Sequence, residues 1–297
     1  MSKIIRGLIV ALSVAALLGF TPIHARSVTL PFTDHFNSLG NWGVTVTNKL
    51  GQAGIVSTDS ASGSASSSLR YTYSQGYANG DSPAKIWITF SQTQELWTQY
   101  YFKYSSNFYL HRVVQKQAYW YISGDSSTNS NFFIGISGSA LGDETRQVEA
   151  QLQRANVGAT NRYISNTKNN PKVANNVWYK LTVHCKLNTN GQSNGILQVW
   201  LDDVLVMDYS NALYTSGSDA NKPIGSFAFD PIFGGMGTEK KPQDDYFFVD
   251  YFQMSTTKIG DTSGGGSSNS GGSGSNNSGG GSTTSLTPMA PSNVNIR

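Results

Sequence analysis

The stretch LHRVVQKQAYWYIS, Leu110–Ser123, concentrates His111, Arg112, Lys116, Gln117, Tyr119 and Tyr121 in a run with the two-residue period of a strand. By parity, His111, Gln115, Gln117, Tyr119 and Tyr121 should share one face. A second row, Gln147, Glu149 and Gln151, lies in Glu144–Arg154 beside Arg146, and Trp178–Leu187 carries Trp178, Lys180 and His184. These residue types include bases (His, Tyr, Lys), acids, and cations or amides that can neutralise a carboxylate. Removing a proton next to a carboxylate requires that inventory. The candidate catalytic residues are therefore His111, Lys116, Tyr119, Arg146, Glu149 and His184. The candidate ligand contacts are Arg112, Gln117, Tyr121, Gln147, Gln151, Trp178 and Lys180. The same rows of Tyr, Gln, Arg and Lys also describe an ordinary sugar-binding face, with Trp97, Tyr101, Trp120, Trp178 and Trp200 as candidate stacking platforms.

Other chemistries fit less well. Only four Glu occur, Glu95, Glu144, Glu149 and Glu239, and no closely spaced carboxylate run of the kind retaining glycosidases use is present. The single cysteine, Cys185, alternates in phase with Leu181, Val183 and Leu187, as a core residue would. No His/Cys cluster for zinc and no phosphate-cradling glycine loop is found, which argues against nucleotide and redox cofactors. The formal charge is +3, and it falls to +1 without Lys3 and Arg6, so a nucleic-acid partner is not expected. The charge is uneven. Tyr100–Lys186 holds ten Lys/Arg against four Asp/Glu, whereas Trp200–Asp261 holds four against ten. A groove built from the first region would suit an acidic ligand.

Strands must position these residues. Period-two alternation recurs in Leu96–Tyr104, Glu144–Arg154 and Trp178–Leu187. Gly195–Leu201 and Val204–Tyr209 flank Asp202-Asp203 as a tight hairpin, and Ser226–Phe229 and Tyr246–Met254 supply further strands. No amphipathic helix follows the N-terminal region. The expected fold class is all-β, a two-sheet antiparallel β-sandwich of jelly-roll type over residues 26–260. Before it, residues 1–25 read as an export signal, with Lys3 and Arg6 ahead of the apolar run Leu8–Phe20 and a cut after Ala25. No later segment is apolar enough to span a membrane, so a secreted or periplasmic protein is expected. Residues 261–285 contain only Asp, Thr, Ser, Gly and Asn, nine of them Gly and nine Ser, and read as a flexible tether. Oligomeric state is not readable.

Three segments resemble the concanavalin A-like lectin/glucanase superfamily, in particular its secreted glucuronan- and alginate-lyase-like branch. They are LPFTDHFNSLGNW (Leu30–Trp42), WYKLTVHCKLNTNGQSNGILQVWLDDVLVMDYSN (Trp178–Asn211) and DDYFFVDYFQMS (Asp244–Ser255). The resemblance implies two curved sheets with an extracellular polysaccharide, acidic by the charge argument, across the concave one. Binding is the first expectation, cleavage of a uronic-acid polymer by β-elimination the alternative, and a structural or adhesive role the third. No cofactor is required. A structural Ca2+ clipping the first and last strands is implied at Asp34 and Asp250, although Asp250 could equally cap a turn. Residues 286–297, LTPMAPSNVNIR, resemble the first strand of a fibronectin type III domain.

Overall fold

The computed structural model describes residues 27–45, 51–61, 67–122, 130–139, 146–169, 171–235 and 237–260. The expected export signal, tether and tail lie outside the described residues. The first eight strands are β1 (Ser27–Val28), β2 (Phe32–Asp34), β3 (Gly43–Thr45), β4 (Gly51–Val56), β5 (Ser68–Tyr73), β6 (Lys85–Thr93), β7 (Glu95–Tyr104) and β8 (Val114–Ile122). There follow β9 (Asn131–Ser137), β10 (Val148–Arg154), β11 (Ala159–Ile164), β12 (Tyr179–Lys186), β13 (Gly195–Leu201), β14 (Val204–Ala212), β15 (Ile224–Phe229) and β16 (Asp245–Ser255). Helix among the described residues amounts to the 3₁₀ turns Ala155–Val157 and Gly217–Asp219 and the single 3₁₀ residue Ser139.

The strands form two sheets. The first has the order β1-β6-β15-β8-β9-β10-β11, with β3 also on β6; the second runs β14-β13-β12-β7-β16-β5-β4, with β2 on β16. This is the jelly-roll sandwich expected from the alternation. On β7, Leu96, Thr98, Tyr100, Phe102 and Tyr104 are buried toward the partner sheet; on β12, Leu181, Val183 and Cys185 are, and on β10, Val148, Ala150 and Leu152. Cys185 is an inert core thiol, its pKa pushed up by burial. Asp202 and Asp203 join β13 to β14 with φ of 50° and 65°. Positive φ at both central residues matches the twist of a two-residue hairpin, and Asp tolerates that region better than most side chains.

The core is rich in aromatics, and its polar tips are matched. Trp42 stacks on Phe36 at 5.5 Å, and Trp120 lies parallel to Phe132 at 4.7 Å and donates to Thr98 Oγ1 at 3.0 Å. Tyr100 donates to Gln117 Oε1 at 3.0 Å, and Gln117 Nε2 donates to the Tyr104 hydroxyl at 2.9 Å. A buried phenol without a partner would lose its hydration uncompensated, so these residues need an amide between the sheets. Gln117 supplies it through a register shift in the β8–β9 pairing between Lys116 and Ala118. The irregularity overturns the single-parity expectation for Leu110–Ser123. Gln115 also turns inward, donating to the Tyr73 hydroxyl at 3.0 Å, while Tyr119 and Tyr121 keep the outer face.

Candidate active site

The outer face of the first sheet carries its own apolar floor. Val114, Tyr119, Tyr121, Phe133 and Ala228 form a cluster separate from the main core, flanked by Trp87, Val113 and Ile232. The Tyr119 and Tyr121 rings stack at 5.8 Å and 14°. Lys116 Nζ reaches over this floor, 5.0 Å from the Phe133 ring centre and 6.0 Å from that of Tyr119. Lys85 Nζ sits 4.4 Å from the centre of the Tyr121 ring. Beside them opens a cleft of about 510 Å³, lined by Tyr119 and Tyr121, by the cations Lys85 and Arg154, and by Asn131, Gln153, Thr160 and Asp230. That size accommodates a few sugar rings, within the roughly 300–1,000 Å³ usual for ligand clefts.

The charges are perturbed in ways that matter chemically. Burial lowers the pKa of Lys116, against the opposing pull of Asp230 and Glu149. Burial also raises Tyr119 well above the usual phenol value, and the nearby Asp230 and Tyr121 raise it further. Asp230 is itself raised by burial despite Ser82, Lys85 and Lys116. A lysine shifted toward its free amine thus stands close to a tyrosine held in its protonated form. Arg154 donates to Ser216 Oγ at 3.4 Å and Asn161 Oδ1 at 3.3 Å, and its buried Nε has no hydrogen-bond partner among the described residues.

Of the residues expected from the sequence, Lys116, Tyr119, Tyr121, Glu149 and Gln151 do gather on this face, and Gln147 lies just before β10. Glu149 is fully buried. Its Oε2 accepts from Arg162 Nε at 2.9 Å and Nη2 at 2.8 Å, and its Oε1 accepts from Gln151 at 2.8 Å. Both oxygens are committed, so Glu149 holds Arg162 and Gln151 in place and adds negative potential near Lys116.

The remaining expected residues do not join them. Gln117 faces the core. His111, before β8, accepts from Val113 N through Nδ1 at 3.1 Å and meets Phe233 edge-on at 4.9 Å. Arg112 pairs with Glu239 at 2.8 Å. Arg146 donates to Val173 O and Asn175 Oδ1, anchoring the loop that leads to β12. Trp178, Lys180 and His184 lie on the outer face of the other sheet. Trp178 donates to Asp59 at 3.2 Å, Lys180 pairs with Asp203 at 2.6 Å, and His184 bridges Glu95 at 2.8 Å and Gln198 at 2.9 Å. Expecting His184 and Tyr119 in one trough fails because β12 and β8 belong to opposite layers.

Asp34 and Asp250 cap local turns. Asp34 accepts from Phe36 N at 2.7 Å and Trp42 Nε1 at 2.9 Å; Asp250 accepts from Ala61 N at 2.8 Å and Tyr251 N at 2.6 Å. Their oxygens accept these N–H donors, and among the described residues no group of three or more acids, His or Cys that could hold a metal is found.

Lys85, Asn131, Gln153, Arg154 and Asp230 were not anticipated. Only Gln153 had a readable signal, as the next outward position after Gln151. Asp230 arrives through the segment after β15, which runs on along β8: Asp230 N donates to Gln117 O at 3.1 Å and Lys116 N to Ile232 O at 3.1 Å. Gly234 in that segment has φ +68°, and a Cβ there would lie 2.3 Å from His111 Nε2. Gly234→Ala is expected to cost more than ~1 kcal/mol, measurable as a lower urea midpoint with an unchanged slope.

The cleft, its cations and the lysine–tyrosine pair set the frame for comparison with known proteins. Residues 143–253 match the polysaccharide lyase 14 family. The polysaccharide lyase 14 segment begins ahead of β10, ends within β16 and contains Glu149, Gln151, Arg154 and Asp230, whereas β8 lies ahead of it. It spans the Trp178–Asn211 stretch that carried the resemblance in the sequence. Similar solved structures include an endo-β-1,4-glucuronan lyase from the fungus Trichoderma reesei, at 15% identity and TM-score 0.54 over 76% of this chain and 95% of that one. The alginate lyase vAL-1 from Chlorella virus matches at 13% identity and TM-score 0.53, covering 73% and 93%. The cellulose induced protein Cip1 matches at 15% identity and TM-score 0.51, covering 77% and 99%. At these identities the likeness is one of fold. No curated protein sequence matches the chain. No helix among the described residues is long and apolar enough to cross a membrane.

Proposed function

We propose that the chain is an exported lyase that cleaves a uronic-acid polysaccharide by β-elimination in the cleft above β8–β11. The observation carrying this reading is the pair formed by Lys116, shifted toward its free amine, and Tyr119, held protonated, beside a cleft with two cations. Lys85 and Arg154 neutralise the uronate carboxylate, making the proton at C5 more acidic and stabilising the enolate that forms on its loss. Lys116 takes that proton. Electrons from the broken C5–H bond form the C4=C5 double bond as the C4–O bond breaks, and Tyr119 protonates the departing oxygen. Tyr121 offers a ring face beside the reacting sugar, and Gln151 and Gln153 offer amides along the chain. The match to polysaccharide lyase 14 supports cleavage over the binding-only role that was the first expectation from the sequence.

The test is incubation of the protein with polyglucuronate, alginate and glycosaminoglycans while following the ultraviolet absorbance of the unsaturated product. Absorbance should grow with at least one of them. Tyr119→Phe should lose ~10²–10⁴-fold in rate, the usual worth of a positioned acid. Retention in a polyuronate gel without any absorbance would return the protein to the binding class.

A further inference from the structure

The outer face of the second sheet, on the far side of the sandwich from the cleft, holds a second built feature. Trp97 on β7 is sandwiched between two rings: His184 on β12 at 4.0 Å and 10°, and Trp200 on β13 at 5.6 Å and 24°. The β7–β12–β13 registers place them side by side, since His184 pairs with Trp97 and Thr182 with both Gln99 and Trp200. Both indoles line a small pocket of about 220 Å³ with Gln99, Thr182, Asp203 and Lys258. Cross-strand ring contacts alone would stabilise the sheet. They do not explain why polar side chains and a hollow gather at the partly exposed indole.

We propose that this pocket is a second, non-catalytic binding site for one pyranose unit of a neutral polysaccharide. The ring chemistry fits: indole surface offers an apolar wall to the C–H faces of a sugar, and the Gln99 amide, the Thr182 hydroxyl and the Asp203 carboxylate can meet its hydroxyls. The size fits a single ring, being below the roughly 300–1,000 Å³ of drug-sized ligands. The charge selects a neutral occupant. Lys180 is paired with Asp203 at 2.6 Å, Lys186 with Glu95 at 3.3 Å and His184 with Glu95 at 2.8 Å. A uronate reaching those cations would have to break such a pair, and in the pocket itself the Asp203 carboxylate offsets Lys258, whereas the cleft on the opposite sheet presents Lys85 and Arg154. The two faces would then hold different polymers, one gripped and one cut. This site does not depend on the lyase reading.

The experiment is affinity electrophoresis of the full chain in native gels containing hydroxyethyl cellulose, galactomannan or polyglucuronate. Retardation is expected in at least one neutral gel and should persist in high salt, because no ion pair with the ligand is involved. Trp200→Ala should abolish that retardation, and Thr182→Val, which keeps the side chain's volume, should reduce it at least threefold. Thermal unfolding of each variant verifies folding, and polyglucuronate cleavage, if present in the parent, should be unchanged. The proposal is overturned by an absence of retardation in both neutral gels. It is also overturned by retardation that survives both substitutions in folded protein, or that appears only with polyglucuronate.

Discussion

Replacing Lys116 with alanine is expected to lower kcat/KM on a uronic-acid polymer by ~10²–10⁴-fold, with the protein still folded. The side chain lies over Phe133 and Tyr119 without anchoring either sheet, and its backbone bond to Ile232 survives the change. Lys116→Arg separates the two roles a lysine can play. Arginine keeps the positive charge that attracts a polyuronate but does not deprotonate in proteins. If Lys116 is the base, both variants are inactive; if it only attracts the substrate, the arginine variant retains most activity and the reading fails. The pH dependence has a definite sign. The reactive form of Lys116 is the free amine, so kcat/KM should climb as pH rises toward its lowered pKa. Tyr119 is raised well above 10, so the acid stays loaded over the whole of that climb. The profile should therefore show a rising limb with no fall before pH ~10, the ordinary phenol value. A bell centred near neutrality would point to another acid and base.

The layers and their inward faces could be read from alternation because burial on one side of a strand imposes a strict two-residue period. That logic held for β7, β10 and β12, and for the Asp202-Asp203 turn, whereas in β16 a register shift between Asp250 and Gln253 moves the inward positions from Phe247 and Val249 to Phe252 and Met254. It failed in β8, where one extra residue at the bulge turned Gln117 toward Tyr100 and Tyr104. No periodicity signals a bulge, since its cause is the need of phenols on another strand for an amide partner. Parity also says nothing about which sheet a strand joins. His184 and Glu149 each sit on a clean outward row, yet β12 and β10 lie in different layers, so half of the expected constellation separated. The residues that complete the cleft, Lys85 on β6 and Asp230 just after β15, lie far apart in sequence and meet through β15 pairing with both β6 and β8. His111 and Arg146 were plausible by type alone; in the folded chain they fasten loops.

The largest effect on stability is expected at Lys241, which does not line the cleft. Lys241→Ala should reduce unfolding free energy by ~3–5 kcal/mol, the usual consequence of removing one member of a buried ion pair. Lys241 and Asp245 are both fully buried, 2.8 Å apart, and the ammonium also donates to Tyr109 O at 2.7 Å. Rings of Phe108, Phe233 and Tyr73 surround it at 3.6, 4.5 and 4.6 Å. Burial outweighs the attraction of Asp245 and pulls the lysine down to about 8. In the unfolded chain it returns to the ordinary lysine value, so between the two the unfolded state holds a proton that the folded state lacks. The Lys241 contribution to stability should accordingly increase with pH from about 8 upward, and below that the cost of burying the charge is fully present. Removing the lysine leaves the Asp245 charge without its counterion in an apolar site. Lys241→Met combined with Asp245→Asn, which removes both charges, should recover much of the loss, because the cost lies in the stranded charge. The backbone of Lys241 also pairs with Gly76 and Tyr77 at 2.8 and 2.9 Å, where the chain returns from the segment bearing Asp230 and Ile232. Urea titration of the parent, single and double variants at pH 7 measures the ranking. A single variant as stable as the parent would mean that the ring cage, and not the ion pair, holds this end of the sandwich together.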